Sequence, residues 1–271
     1  MTSTLANINA GVIQGSAMET AAFLICASDL HLVTPGNMCR KYADDCYLVI
    51  PSSNSSSIPT ELAHISTWAT QNNLSLNPSK TTEIIFKKPR SKVADPPLTP
   101  GLSRVQSIKV LGVTLQPNLS MATHITNLVS KAGQATYALK ILKANGLANR
   151  PLNTVFQATL VSSLVYASPA WKGFASIEDQ TRLQTVLNRA HRWGLCDLPT
   201  PLTFSSLCDK SEAKLFSSIT ISNTHTLHHL LPEKRPHLYD LRTRAHDFML
   251  PPNSSLLQRN FLHRMLFKDI Y

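Results

Sequence analysis

Between residues 59 and 72, Leu62, Ile65, Trp68 and Ala69 recur at spacings of three and four with polar side chains between them, which predicts an amphipathic helix. Asn73 and the Asn77-Pro78 step close it. A longer stripe of Ile125, Leu128, Val129, Ala132, Ala135, Leu139 and Leu142 predicts a second helix that ends at Asn145-Gly146. Further helices are predicted over 153–166, 177–193 and 256–267, with a largely apolar one over 17–32 stopped by Pro35 and Gly36. Strand-like runs lie at 37–42, 46–50, 81–86 and 107–115, the last interrupted by Gly112. The Ser-rich 51–57 and Pro-rich 89–102 read as connections, residues 1–10 are polar and featureless, and 11–16 form a glycine-punctuated loop. No repeat of fixed period is visible, which removes the main support for solenoids and propellers. This order predicts an α+β protein: a mixed unit over 1–116 with helices on a small antiparallel sheet, an all-α unit over 117–230 and a tail over 231–271.

Composition narrows the setting. The 271 residues carry enough apolar content for an ordinary core. The five cysteines, Cys26, Cys39, Cys46, Cys196 and Cys208, are odd in number and scattered without a CxxC pair, so they are expected to be buried thiols in a reducing compartment. The N-terminus shows no signal-peptide pattern, and the most apolar stretch, 21–33, is too short for a membrane span and contains Asp29. An intracellular protein, nuclear or cytoplasmic and without a membrane partner, is expected.

Charge changes the picture once it is located. The net +10 is concentrated in residues 80–150, where eleven Lys or Arg face only Glu83 and Asp95, whereas residues 1–79 are net −3. A basic surface next to an acidic pair suits a polyanion held by its phosphates with metal ions nearby, although charge alone serves a solvated face equally well. The acidic pair is Asp44-Asp45, between two strand-like runs and hence at the tip of a hairpin. Hard carboxylate oxygens on a rigid turn suit Mg²⁺, and two-metal phosphoryl transfer is the chemistry such a site serves. An ordinary Asx turn explains the same dipeptide when it stands alone.

Other candidates have weaker footing. His225, His228 and His229 lack a Cys or acidic cluster to complete a metal set, and Ser162, Ser163 and Ser168 lack a glycine elbow or evident His and Asp partners. Trp171 and Trp193, near Lys172, Arg189 and Arg192, suit either base stacking or core filling.

Tyr42-Ala43-Asp44-Asp45 resembles the catalytic palm box of reverse transcriptases, and Gly11-Val12-Ile13-Gln14-Gly15-Ser16 resembles the box before it. Thr67-Trp68-Ala69 through Asn77 to Lys80-Thr81 is similar to the next box, and Lys109-Val110-Leu111-Gly112-Val113 to the one after. The helical region is similar to the thumb of LINE-type (non-LTR, jockey-like) retrotransposon enzymes, and Tyr239-Asp240-Leu241-Arg242 to Asn260-Phe261 resembles their C-terminal tails. The resemblance implies a partial palm over 1–116, a helical thumb over 117–230 and a C-terminal tail. It implies Asp44 and Asp45 as catalytic metal ligands for Mg²⁺, Asp44 being favoured as the direct one. Gln14 and Gly15 would position template and nucleotide, and Lys80 would neutralise or protonate the leaving pyrophosphate. Lys109, Leu111 and Gly112 would form the primer grip. Partners would be an RNA template, a DNA primer and deoxynucleoside triphosphates.

Palms of this kind need a further carboxylate on an upstream strand. Only ten residues precede Gly11 and none is acidic, so the chain is expected to be a fragment that does not polymerise DNA by itself. The alternative is a non-catalytic nucleic-acid-binding remnant.

Overall fold

The structure, a computed structural model, describes residues 19–88, 91–197, 199–234, 246–252 and 254–268. They fall into two compact units, one within 1–85 and 90–105 and the other within 86–89 and 106–271.

Among its described residues the first unit opens with α1 (Glu19–Cys26), which stops short of the predicted end at Leu32 because a 3-10 turn, Ala27–Asp29, follows it. Strands β1 (Met38–Tyr42) and β2 (Asp45–Val49) form an antiparallel hairpin, and the Ser-rich connection winds into a 3-10 helix, Ser52–Ser57. Helix α2 (Ile58–Gln71) starts with Pro59 in its first turn and ends at Asn72, where Asn73 turns left-handed (φ 56°). The predicted strand 81–86 shrinks to β3 (Thr82–Glu83), paired in parallel with β4 (Ser103–Arg104). The Glu83 carboxylate accepts from Arg104 and from the Thr99 hydroxyl, and Arg104 also donates to the Pro96 and Pro97 carbonyls, which locks the proline-rich connection.

The second unit opens with a hairpin, β5 (Ile108–Val110) and β6 (Val113–Leu115), where the pattern predicted one interrupted strand. Leu111 (φ 44°) and Gly112 (φ 88°) both take left-handed backbone, the demand of a two-residue hairpin turn, and glycine meets it without a Cβ penalty. Helix α3 (Ala122–Ala144) is followed by α4 (Asn149–Phe156), a π-helical stretch over Gln157–Val161, α5 (Ser162–Val165) and α6 (Ser168–Trp171). Helix α7 (Ile177–Arg192) is capped by Ser176, whose hydroxyl oxygen accepts from the Asp179 amide at 3.1 Å. Helix α8 (Phe204–Ile221) was not among the individual helices the pattern picked out. The predicted final helix is instead a 3-10 turn and α9 (Phe261–Phe267), capped by the Asn260 side chain. The main core lies here, built on Ile125, Phe156, Leu160, Leu164, Trp171 and Leu183 with their neighbours.

The α+β class holds, but among the described residues the strands make three separate two-stranded ladders, one of them parallel, instead of one small antiparallel sheet. Expected thiol burial fails at three of five positions: Cys196 and Cys208 are buried, Cys39 is half-buried, and Cys26 and Cys46 are exposed. The three that fail lie in the first unit, where apolar burial among the described residues is confined to Ala27, Leu30, Ile65 and Ala69. Among the described residues no helix is long and apolar enough to cross a membrane.

Candidate active site

Tyr42 pairs with Asp45 across the first hairpin, so its turn has two residues, Ala43 and Asp44, and Asp45 opens β2 instead of lying in the turn. Ala43 bears the left-handed backbone (φ 48°) that closes such a turn. Both carboxylates are exposed, and the Tyr47 hydroxyl donates to Asp45 Oδ2 at 3.0 Å, which orients that side chain. One carboxylate on the turn and one at the start of β2 fit the ordinary Mg²⁺ set of one or two protein carboxylates completed by phosphate oxygens and water. Among the described residues no group of three or more His, Cys, Asp or Glu could hold a metal ion.

Two side chains that sequence reasoning passed over position this hairpin. Lys41 Nζ donates to the Ala27 and Leu30 carbonyls, tying β1 to the turn after α1. Glu61, fully buried on α2, accepts from the Val33 and Thr34 amides at 3.0 and 2.8 Å and from Asn37 Nδ2 at 2.8 Å. Burial alone would raise its carboxyl, but the bonds from Asn37, Val33 and Thr34 outweigh it and hold the group below the ordinary glutamate range. The available signal was its place four residues before Ile65 and eight before Ala69, an acid on the apolar stripe.

Lys80 is exposed at the end of a 3-10 turn, Pro78–Lys80, whose Asn77 cap accepts from the Lys80 amide. Gln14 and Gly15 lie outside the described residues, as do Tyr239 to Arg242. In the second unit Lys109 is exposed on β5, and Leu111 and Gly112 form the turn itself. The Tyr166 hydroxyl donates to the Leu111 carbonyl at 3.0 Å, and a Cβ on Gly112 would meet the Tyr166 ring at 3.0 Å. His124 supports the same hairpin from α3: its Nδ1 accepts from the Thr114 amide at 3.3 Å, and its ring meets Trp171 edge-on at 5.2 Å. Burial, with Lys131 adding, lowers the His124 pKa, so the ring stays neutral.

The basic stretch is partly spent on structure. Arg104 is paired with Glu83 at 2.7 Å, and Lys143 Nζ donates to the Trp193 and Gly194 carbonyls at the end of α7. Lys88, Lys92, Lys109, Lys131 and Arg150 are exposed.

The two tryptophans part company. Trp171 is buried and stacks on Phe204, whereas Trp193 is 40% exposed with Lys140 Nζ 5.1 Å from its ring centre. The serines serve packing and helix backbone: Ser162 and Ser163 donate to the Ala158 and Leu160 carbonyls, and Ser168 is buried.

No family model matches the chain, and no solved structure matches it. Over 138 residues it is 29% identical to the RNA-directed DNA polymerase from mobile element jockey of Drosophila melanogaster. This is a distant, reverse transcriptase-like relationship. The match covers 46% of this chain and 15% of the jockey protein, so the chain spans a small part of that relative's length.

Proposed function

We infer that this chain is part of an RNA-directed DNA polymerase of a non-LTR retrotransposon, corresponding to part of the palm, the thumb and the C-terminal tail. The observation that carries the reading is the hairpin turn with Asp44 at its tip and Asp45 opening β2, both exposed, in a chain distantly related to the jockey polymerase. Asp44 and Asp45 are the residues that would hold Mg²⁺, with the Tyr47 hydroxyl fixing one Asp45 oxygen. When bound, the ion neutralises phosphate charge and polarises the reacting phosphoryl group. Lys80 offsets charge on the departing pyrophosphate, Gln14 and Gly15 position template and nucleotide, and the Lys109 to Gly112 turn grips the primer end. The RNA template, DNA primer and deoxynucleoside triphosphates are the partners, and the setting is the nucleus or cytoplasm.

A second reading, a non-catalytic nucleic-acid binder, is favoured by the lack of a third potential metal ligand near the turn among the described residues. The test compares the chain with a longer polypeptide that carries it, in primer extension on RNA and in duplex-binding assays. The polymerase reading expects no extension by the chain alone, and extension by the longer polypeptide that Asp44→Asn abolishes. The binding reading expects Asp44→Asn to leave affinity equal or higher and no extension in either context. Absence of any affinity for an RNA–DNA duplex would sink both.

A further inference from the structure

Cys39 pairs with Leu48, and Lys41 with Cys46, in the β1–β2 ladder. Strand alternation therefore puts Cys39, Lys41, Cys46 and Leu48 on one face of the hairpin, with Asp45 and Tyr47 on the other. The two cysteines are diagonal neighbours on their face. Neither belongs to a core: Cys39 is half-buried and Cys46 exposed, which leaves a small reagent a path to the pair. Cys208 behaves oppositely, as burial pushes its thiol up to about 11. The two thiols influence each other oppositely: the Cys46 thiol, with Lys41 and Arg40 nearby, lowers the Cys39 pKa against partial burial, and the same contact together with burial raises that of Cys46. Lys41, opposite Cys46 on the same face, favours the thiolate form that thiol–disulfide exchange requires.

We propose that Cys39 and Cys46 form a cross-strand dithiol that low-molecular-weight disulfides of the glutathione class convert reversibly into an intrachain disulfide, on the hairpin that presents Asp44 and Asp45. The Cys39 thiolate attacks one sulfur of the reagent. A mixed disulfide forms, the reagent's S–S bond breaks, and its electron pair leaves on a thiolate that takes up a proton. The Cys46 sulfur then displaces the second reagent thiol and gives up its own proton. Two protein thiols are oxidised by two electrons, and one reagent disulfide is reduced to two thiols. A disulfide needs a Cα separation below about 7 Å, while diagonal cross-strand neighbours start at about 7–8 Å. Closure therefore draws the strands together and leaves the bond strained, which favours ready reduction over a permanent staple. Among the described residues the ladder has two strands, and such a ladder yields to that pull more easily than a strand held on both edges.

The experiment equilibrates the purified chain in glutathione redox buffers, alkylates the remaining thiols and maps peptides by mass spectrometry. A Cys39–Cys46 crosslink is expected, reversed by reduced glutathione. In Cys39→Ser and Cys46→Ser chains the reaction should stop at a mixed disulfide on the remaining cysteine. Amide exchange over residues 38–49 should slow on oxidation in the unsubstituted chain and in neither variant. Separate mixed disulfides on both cysteines, a crosslink through Cys26, or thiols that stay reduced in oxidising buffer would each overturn the proposal.

Discussion

Glu61 is a single carboxylate that closes three donors of the segment leading into the acidic hairpin. Glu61→Ala leaves them without their acceptor, at a cost of about 1–3 kcal/mol in stability. Thermal unfolding and faster amide exchange at Val33 and Thr34 check it. The sign of the pH dependence follows from its lowered carboxyl. Its contribution is complete above the unfolded glutamate value of about 4.3 and is lost as pH falls through the lower folded value. Glu61→Gln should therefore flatten the acid limb of the stability curve, and an unchanged limb would count against the anchor. Gly112 poses the opposite problem, of space and backbone. Gly112→Ala forces a left-handed non-glycine residue, worth about 1–2 kcal/mol, and pushes its Cβ against the Tyr166 ring. A thermal midpoint equal to that of the parent would refute this.

At the scale of elements, the β5–β6 hairpin is held by two residues from distant segments, Tyr166 at its turn and His124 beside β6. Tyr166→Phe removes one hydrogen bond, about 0.5–1.5 kcal/mol, and amide exchange should quicken at residues 108–115 while α7 stays unchanged. Uniformly faster exchange would mean the tyrosine serves the whole unit instead. Elements of this kind were legible in part. Helices α2, α3 and α7 follow their apolar periods to within a few residues, and the acidic hairpin follows its alternation and turn. Helix α8 did not stand out because its buried positions are Phe204, Cys208, Glu212 and Ile219: one is an acid, made tolerable by Arg264 from 52 residues away. The second hairpin reads as one interrupted strand because its two-residue turn contains the apolar Leu111 and no polar turn residue, so Gly112 is the one break in an otherwise strand-like run. Strand β3 is only two residues long because its partner β4 emerges from a proline-rich segment that cannot sustain a ladder. Of the candidate site, the acidic pair was visible in the residues, but Lys41, Tyr166 and His124 act through contacts no local pattern encodes.

The whole molecule is basic, yet its cations are not equivalent, and this separates binding from folding. Arg104 serves Glu83 and two proline carbonyls, and Lys143 serves the end of α7, so neither is expected to contribute much to phosphate binding. Lys88, Lys92, Lys109, Lys131 and Arg150 are exposed and carry most of the remaining charge of that stretch. Each phosphate contact releases counterions and adds about 0.9 to the slope of log affinity against log salt on duplex. Replacing Lys88 and Lys92 with alanine should weaken RNA–DNA duplex binding and reduce the slope by up to about 2 if both touch phosphate. The thermal midpoint should hardly move, since exposed charges contribute little to stability. Arg104→Ala should show the reverse: a lower midpoint and accelerated exchange over β3 and β4, with the salt slope preserved. Titrations across salt concentrations alongside thermal unfolding read both quantities. If the Lys88 and Lys92 changes leave the slope untouched while Arg104→Ala reduces it, then phosphate contact runs through the ion-paired arginine, and the division of this basic stretch into structural and binding charge is wrong.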